Sequence, residues 1–250
     1  MSRWRGNILS YDNAKTTKGE KHGWASFIFM GAPHEESGYN ACAGSSAGCR
    51  ATCLYYAGRG AFPQVKSARI RKTKLYFEDF NTFKSSMEKD IKSALNWADK
   101  NNLKPCFRLD GTTDLGVAQH FVSNNKTKQF YDYTKCPSRI RMAEKHDNWH
   151  ITYSLSENTT TNRMRILLAS NSNIAIPFHN VPEIGTRLLG REIVSGDETD
   201  LRFLDGMKKI VTLKVKGGKG KKTLNEDKKS TNGFILTDGA ALEKRFAALA

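Results

Sequence analysis

Six short runs rich in aromatic and β-branched residues recur roughly every twenty positions from Cys106 to Leu213, with polar, helix-length stretches between them. They begin at Cys106, Phe130, His150, Asn173, Glu192 and Ile210. That spacing is the length of a strand–helix unit. Strands repeated at it run parallel, because each crossover returns the chain to the same end of the sheet. The connecting segments predict helices over 82–103, 114–125, 137–147, 160–171, 182–190 and 198–207. The first is the clearest, since Phe83, Met87, Ile91, Ala94, Leu95 and Ala98 fall on one helical face. An earlier strand is expected at Trp24–Phe29. The fold class that follows is α/β, a parallel (β/α) partial barrel of TIM-barrel-like form, with a doubly wound open sheet as the alternative. The 250 residues read as a single domain. Residues 1–80 hold the first strand, a cysteine loop and a basic segment, and 81–213 hold the βα repeats. Residues 214–250 hold a basic loop, a short strand at Gly233–Leu236 and a C-terminal helix from Ala240.

Cys42, Cys49 and Cys53 follow the first predicted strand at the spacing C-x6-C-x3-C, among small and Gly-rich residues. Thiolates this close in sequence converge readily on one metal, and three ligands leave a coordination position open. Cys106 and Cys136 stand alone and read as packing residues.

Lys and Arg number 40 against 25 Asp and Glu, a formal net charge of +15. That balance favours a polyanion, nucleic acid first and DNA before RNA. No apolar run spans a bilayer and no apolar stretch follows Arg3 and Arg5, so the reading is a cytoplasmic protein without membrane partners. Leu54-Tyr55-Tyr56 leads into Arg59, Lys66, Arg69, Arg71 and Lys72, interleaving rings with cations as a nucleic-acid path does. Lys216, Lys219, Lys221 and Lys222 in the Gly/Lys-rich loop extend this basic surface.

In parallel α/β folds chemistry gathers at the carboxyl ends of the strands. Those ends carry Asp110, Asp132, Glu157 and Asp197 as candidate catalytic carboxylates, and Arg108, Asp114, Lys135, Ser154 and Asp200 as candidate ligand contacts. Asp110 and Asp197 adjoin glycines, which allow close ligand approach. A strand-borne charge such as Arg108 requires a partner. Asp114, Glu157 and Asp200 equally suit helix N-caps. The scattered histidines read as structural, and no Walker loop, Rossmann fingerprint or paired-histidine zinc helix is present.

The cysteine run with Tyr55-Tyr56-Ala57-Gly58-Arg59-Gly60, the segment Arg108-Leu109-Asp110-Gly111-Thr112-Thr113-Asp114, Tyr131-Asp132-Tyr133-Thr134-Lys135, Ser154-Leu155-Ser156-Glu157 and Gly196-Asp197-Glu198-Thr199-Asp200-Leu201-Arg202 together resemble a bacteriophage family, the gene eighty-eight proteins, over about residues 7 to 238. The resemblance implies a phage origin, and with it the host cytoplasm, rather than a reaction. A more distant likeness is to radical S-adenosylmethionine enzymes, partial barrels whose first loop carries three cysteines. It implies a [4Fe–4S] cluster on Cys42, Cys49 and Cys53, with S-adenosylmethionine on the open iron and Asp110–Asp114 in the place of that family's Gly-Gly-Glu-Pro stretch. The family's C-x3-C-x2-C spacing and the Gly-Gly-Glu-Pro sequence are both absent here.

Three functions are carried forward. The first is an iron–sulfur enzyme modifying a base or nucleotide. The second is a Mg²⁺- or Mn²⁺-dependent nuclease or nickase centred on Asp197. The third is a non-enzymatic nucleic-acid binder, stabilised by Zn²⁺ with His34 or Cys106 as fourth ligand.

Overall fold

The computed structural model describes residues 4–11, 16–56, 58–215 and 233–249. Its frame is one nine-stranded, mostly parallel sheet. The strands are β1 (Leu9–Ser10), β2 (Trp24–Phe29), β3 (Lys104–Arg108), β4 (Gln129–Thr134), β5 (Trp149–Ser154), β6 (Asn173–Phe178), β7 (Arg187–Leu188), β8 (Arg191–Ser195) and β9 (Ile210–Lys214). They lie in the order β1-β2-β3-β4-β5-β6-β9-β8-β7. All pairings from β2 to β8 are parallel, and the edge strands β1 and β7 are antiparallel to their neighbours. Strands β2 to β6 add in one direction with no central reversal, so the doubly wound alternative does not hold. Among the described residues the sheet stays open, with β1 and β7 at its two edges. Among the described residues seven α-helices accompany it: α1 (Thr16–Glu20), α2 (Ala47–Ala51), α3 (Pro63–Glu78), α4 (Phe80–Lys100), α5 (Pro137–Ala143), α6 (Thr161–Ala169) and α7 (Gly239–Arg245). None of the described helices is long and apolar enough to cross a membrane.

Alternation along the strands gives the sheet two unlike faces. One carries Phe27, Phe29, Phe107, Phe130, Ile151, Ile174 and Phe178, packed with the apolar stripe of α4. Phe83 of α4 meets Phe29 edge-on at 5.4 Å, and each such buried side chain contributes about 1.5–3 kcal/mol. The other face is polar yet buried. Ser26 Oγ and Tyr131 OH stand 2.6 Å apart, and Arg108 pairs with Asp200 at 2.6 Å. Arg202, fully buried, donates to the carbonyl of Thr199 and pairs with Asp205 at 3.1 Å. Leu201, Phe203 and Trp24 close over Cys106 and Tyr131.

Several predicted helices take other forms. At 114–125, Gly116 has φ +76° and the chain makes two 3₁₀ turns, Val117–His120 and Val122–Asn125. At 182–190 a hairpin replaces the helix, because Leu189 (φ +50°) and Gly190 (φ +76°) form a two-residue turn joining β7 to β8. The stretch 198–207 holds only the 3₁₀ turn Arg202–Leu204, since the Arg202 side chain bonds backbone beside it. The expected strand at 233–236 is a single bridge from Leu236 to Phe178. Helix α3 was not expected: its basic residues lack an apolar stripe, and packing on α4 supports it.

Candidate metal centre at the strand ends

The loop after β2 carries the cysteines and is docked onto three strand ends. Gly31 lies where an added Cβ would stand 2.7 Å from Thr73 Oγ1 and 2.8 Å from Thr113 Cγ2, so only glycine lets the chain pass between α3 and the end of β3. The amide of Ala32 donates to Thr73 Oγ1 at 2.8 Å. The amide of Asp114 donates to the Ala41 carbonyl at 2.9 Å, tying the loop to the segment after β3. A Cβ on Gly44 would fall 2.9 Å from Lys135 Cβ, so the loop also lies against the end of β4. Glu157, just past β5, supplies the third anchor. Its two oxygens accept from Ser46 Oγ at 2.6 Å and from the Gly48 amide at 2.7 Å. Ser46 Oγ in turn caps α2 by accepting from the Cys49 amide at 3.3 Å.

Cys42, Cys49 and Cys53 thereby line one cavity of about 190 Å³ together with Thr112, Thr113, Tyr133, Thr134, Lys135 and Ser154. The wall also includes His34, Asp114 and Tyr56. Burial pushes the Cys42 thiol up to about 12, against a hydrogen bond from the His34 backbone that lowers it; Asp114 and the other two thiols add to the rise. Burial raises the Cys53 thiol as well. A bound cation would reverse this, turning thiols into thiolates with release of protons. Among the described residues no three His, Cys, Asp or Glu side chains are gathered into a ready ligand set. The donors themselves suit a soft metal: three thiols and His34 are all in the lining of the one cavity.

The polar groups opposite are fixed by one another. Asp114 accepts from Thr134 Oγ1 at 2.8 Å and the Lys135 amide at 2.9 Å, and it pairs with Arg139. Lys135 Nζ donates to Ser154 Oγ at 2.6 Å. Tyr133 lies over Arg108, whose guanidinium carbon is 4.8 Å from the ring centroid. Burial disfavours the Arg108 cation most strongly of any one influence, but Asp200 together with the Tyr133 and Tyr131 phenols outweighs it and holds its pKa above the usual range. The cavity lining thus combines three thiols with the Lys135 ammonium and the hydroxyls of Thr112, Thr113, Thr134 and Ser154.

Of the candidate ligand contacts, Asp114, Lys135 and Ser154 line this cavity, while Arg108 and Asp200 pair on the polar sheet face nearby. The candidate catalytic carboxylates are each held by hydrogen bonds, and of the four none lines the cavity. Asp110 accepts from Thr113 Oγ1 and from the amides of Leu115, Gly116 and Val117, closing the loop after β3. Asp132 accepts from the Asp110 amide at 2.8 Å, and burial together with the neighbouring Asp110 raises its pKa well above the carboxylate range. Glu157 is the loop anchor. Asp197 accepts from the Lys214 amide at 2.9 Å, beside β9.

Among the candidate nucleic-acid contacts, Lys66 and Arg69 lie over tyrosine rings next to Cys53, 5.5 Å from the Tyr55 centroid in each case. Lys72 turns inward and donates to the Ile8 carbonyl at 2.8 Å. Arg59 and Arg71 are exposed. Lys216, Lys219, Lys221 and Lys222 lie outside the described residues. Cys106 is a packing residue, buried and donating to the Ala25 carbonyl, and it does not line the cavity. Cys136 is only half-buried and donates to Asp114 at 3.8 Å. The sequence reading missed Thr112, Thr113, Tyr133 and Tyr56. Alternation along β4 would have found Tyr133, which shares its face with Lys135.

Searches of curated proteins and of solved structures find no match to this chain. The likeness to radical S-adenosylmethionine enzymes therefore gains no support from them. The family model described as Gene product 88 matches residues 7–236. That span holds every strand of the sheet and all three cavity cysteines, and the chain belongs to the gene product 88 family of bacteriophage proteins.

Proposed function

We propose that the chain is an iron–sulfur protein of the host cytoplasm that modifies a base or nucleotide, with Cys42, Cys49 and Cys53 holding the cluster. The observation that carries this reading is the convergence of the three thiols on one cavity at the carboxyl ends of β3, β4 and β5. On this reading the seven parallel strands make an open partial barrel whose loop ends form the site. A [4Fe–4S] cluster on three cysteines supplies one-electron chemistry and an iron open to a further ligand. The chain's own residues bind and orient what lies opposite. Lys135, steadied by Ser154, presents an ammonium to an anionic group, and Thr112 and Thr113 offer hydroxyls. The Tyr133 ring, backed by the Arg108 cation, presents a flat face to a base. S-adenosylmethionine is one candidate occupant, though neither the cysteine spacing nor the comparisons favour it.

The zinc reading keeps one supporting observation, His34 in the lining of the same cavity as the thiols. The nuclease reading is weaker, because Asp197 and Asp200 are engaged by the Lys214 amide and Arg108. Nucleosides from cells expressing the wild-type chain and its Cys42→Ser variant test the reaction. A modified nucleoside present only with the wild type is expected. Identical nucleoside profiles in RNA, DNA and free pools would sink the proposal that this site modifies bases.

A further inference from the structure

At the opposite, amino-terminal ends of the same strands lies a larger groove of about 610 Å³. Trp24 opens β2 there, Lys104 opens β3, and the turns before β4 and β5 bring Lys126, Lys128 and Lys145 to its walls. A six-residue strand separates this end from the cysteine cavity, a distance of about 20 Å at the usual rise per residue. The four ammonium groups are uncompensated: none forms an ion pair among the described residues, and the lining includes one carboxylate, Asp147. Lys104 Nζ stands 5.7 Å from the Trp24 ring centroid. Trp24 is itself held edge-on against Phe203 at 4.8 Å, so the ring is fixed in place. The turn bearing Lys126 and Lys128 is fixed as well. Asn148 Nδ2 donates to the carbonyls of Asn125 and Lys128, both at 3.0 Å, and the Phe130 amide donates to the Asn148 carbonyl at 2.7 Å.

We infer that this groove binds single-stranded nucleic acid, with phosphates on Lys104, Lys126, Lys128 and Lys145 and one base against Trp24. Unpaired lysines on pre-shaped turns pay little to meet a phosphodiester backbone. An indole at the groove wall adds the sequence-tolerant stacking that single strands offer and duplexes withhold. The groove lies away from the cysteines, so it serves as an anchoring site that holds a strand while another part reaches the cavity. In that use it rests on the nucleic-acid reading above. The binding itself does not require the cluster.

Fluorescence anisotropy with a labelled single-stranded oligothymidylate tests it, using the full chain and its Cys42→Ser/Cys49→Ser/Cys53→Ser variant. Both are expected to bind alike, with a log–log salt slope near −3 for four phosphate contacts. Lys126→Glu/Lys145→Glu is expected to weaken binding at least about tenfold and to bring the slope to about −1.5. Trp24→Ala is expected to weaken it several-fold and to abolish the quenching of indole fluorescence by the strand. Lys89→Glu/Lys92→Glu, at exposed positions on α4 outside both basic segments, is the charge-matched control and is expected to bind within about twofold of wild type. The inference is overturned if the groove double variant keeps wild-type affinity and slope, or if the control loses as much binding. It is equally overturned if duplex DNA or phosphatidylserine vesicles bind more tightly than the single strand.

Discussion

Glu157→Ala should free the cysteine loop without unfolding the sheet. The carboxylate makes two charge-assisted hydrogen bonds, to Ser46 Oγ at 2.6 Å and to the Gly48 amide at 2.7 Å. Bonds to a charged group contribute about 1.5–3 kcal/mol each, and partial exposure places this pair toward the lower value. Their joint loss is therefore about 3 kcal/mol, or roughly a hundredfold in the equilibrium for local opening. Glu157→Gln is the informative companion. Its carbonyl can accept from Gly48 while its amide donates to Ser46, so only the charge is lost, at about 1 kcal/mol and roughly a five-fold effect. Hydrogen exchange followed by mass spectrometry reads both. Amides over 46–53 should exchange about a hundred times faster in Glu157→Ala and about five times faster in Glu157→Gln, while amides of β4 keep their wild-type rates. Unchanged exchange over 46–53 in Glu157→Ala would refute the anchoring role, and so would equal acceleration of β4.

Three further outcomes follow from the packing. Gly44→Ala puts a methyl 2.9 Å from Lys135 Cβ, which should cost about 1–3 kcal/mol in thermal or urea unfolding and should lower iron uptake on reconstitution. Asp200→Ala leaves the Arg108 guanidinium buried without its counter-ion and should cost about 3–5 kcal/mol by urea titration. His150 is held near 4 by burial, below its ordinary 6.5, so the unfolded chain binds the proton first. Its contribution to stability is complete above about pH 6.5 and falls away toward pH 4, by up to about 3 kcal/mol. Asp205, raised to about 6 by burial, acts in the opposite sense over about pH 4 to 6 and offsets part of this. Urea titrations across that range should therefore show His150→Gln losing the acid-side decline that the wild type retains.

The strands were legible because burial on both faces writes them as compact aromatic and β-branched runs; the predicted Trp24–Phe29 is β2 itself. Segment 182–190 was misread because its polar composition permits a helix, while the Leu189–Gly190 turn that decides against one is two residues long. Helix α3 escaped notice because a helix without an apolar stripe leaves no periodic signal. At the site, adjacency to the cysteines and to strand ends was enough to find Asp114, Lys135 and Ser154. The same logic did not foresee that Asp110 accepts from Thr113 and from the amides of Leu115 to Val117, contacts that depend on backbone amides and not on residue type. Asp132 was separable in principle. It lies within β4, short of the strand-end residues Tyr133 and Thr134 that line the cavity, and is held by the Asp110 amide.

The most direct test of the metal centre is iron and zinc analysis, with a visible spectrum, on anaerobically purified and reconstituted protein and on each of the Cys42→Ser, Cys49→Ser and Cys53→Ser variants. The account predicts about four irons per chain with a broad absorbance near about 400 nm, and loss of both in every variant. Colourless protein that takes up no iron, or one zinc per chain in its place, would contradict it.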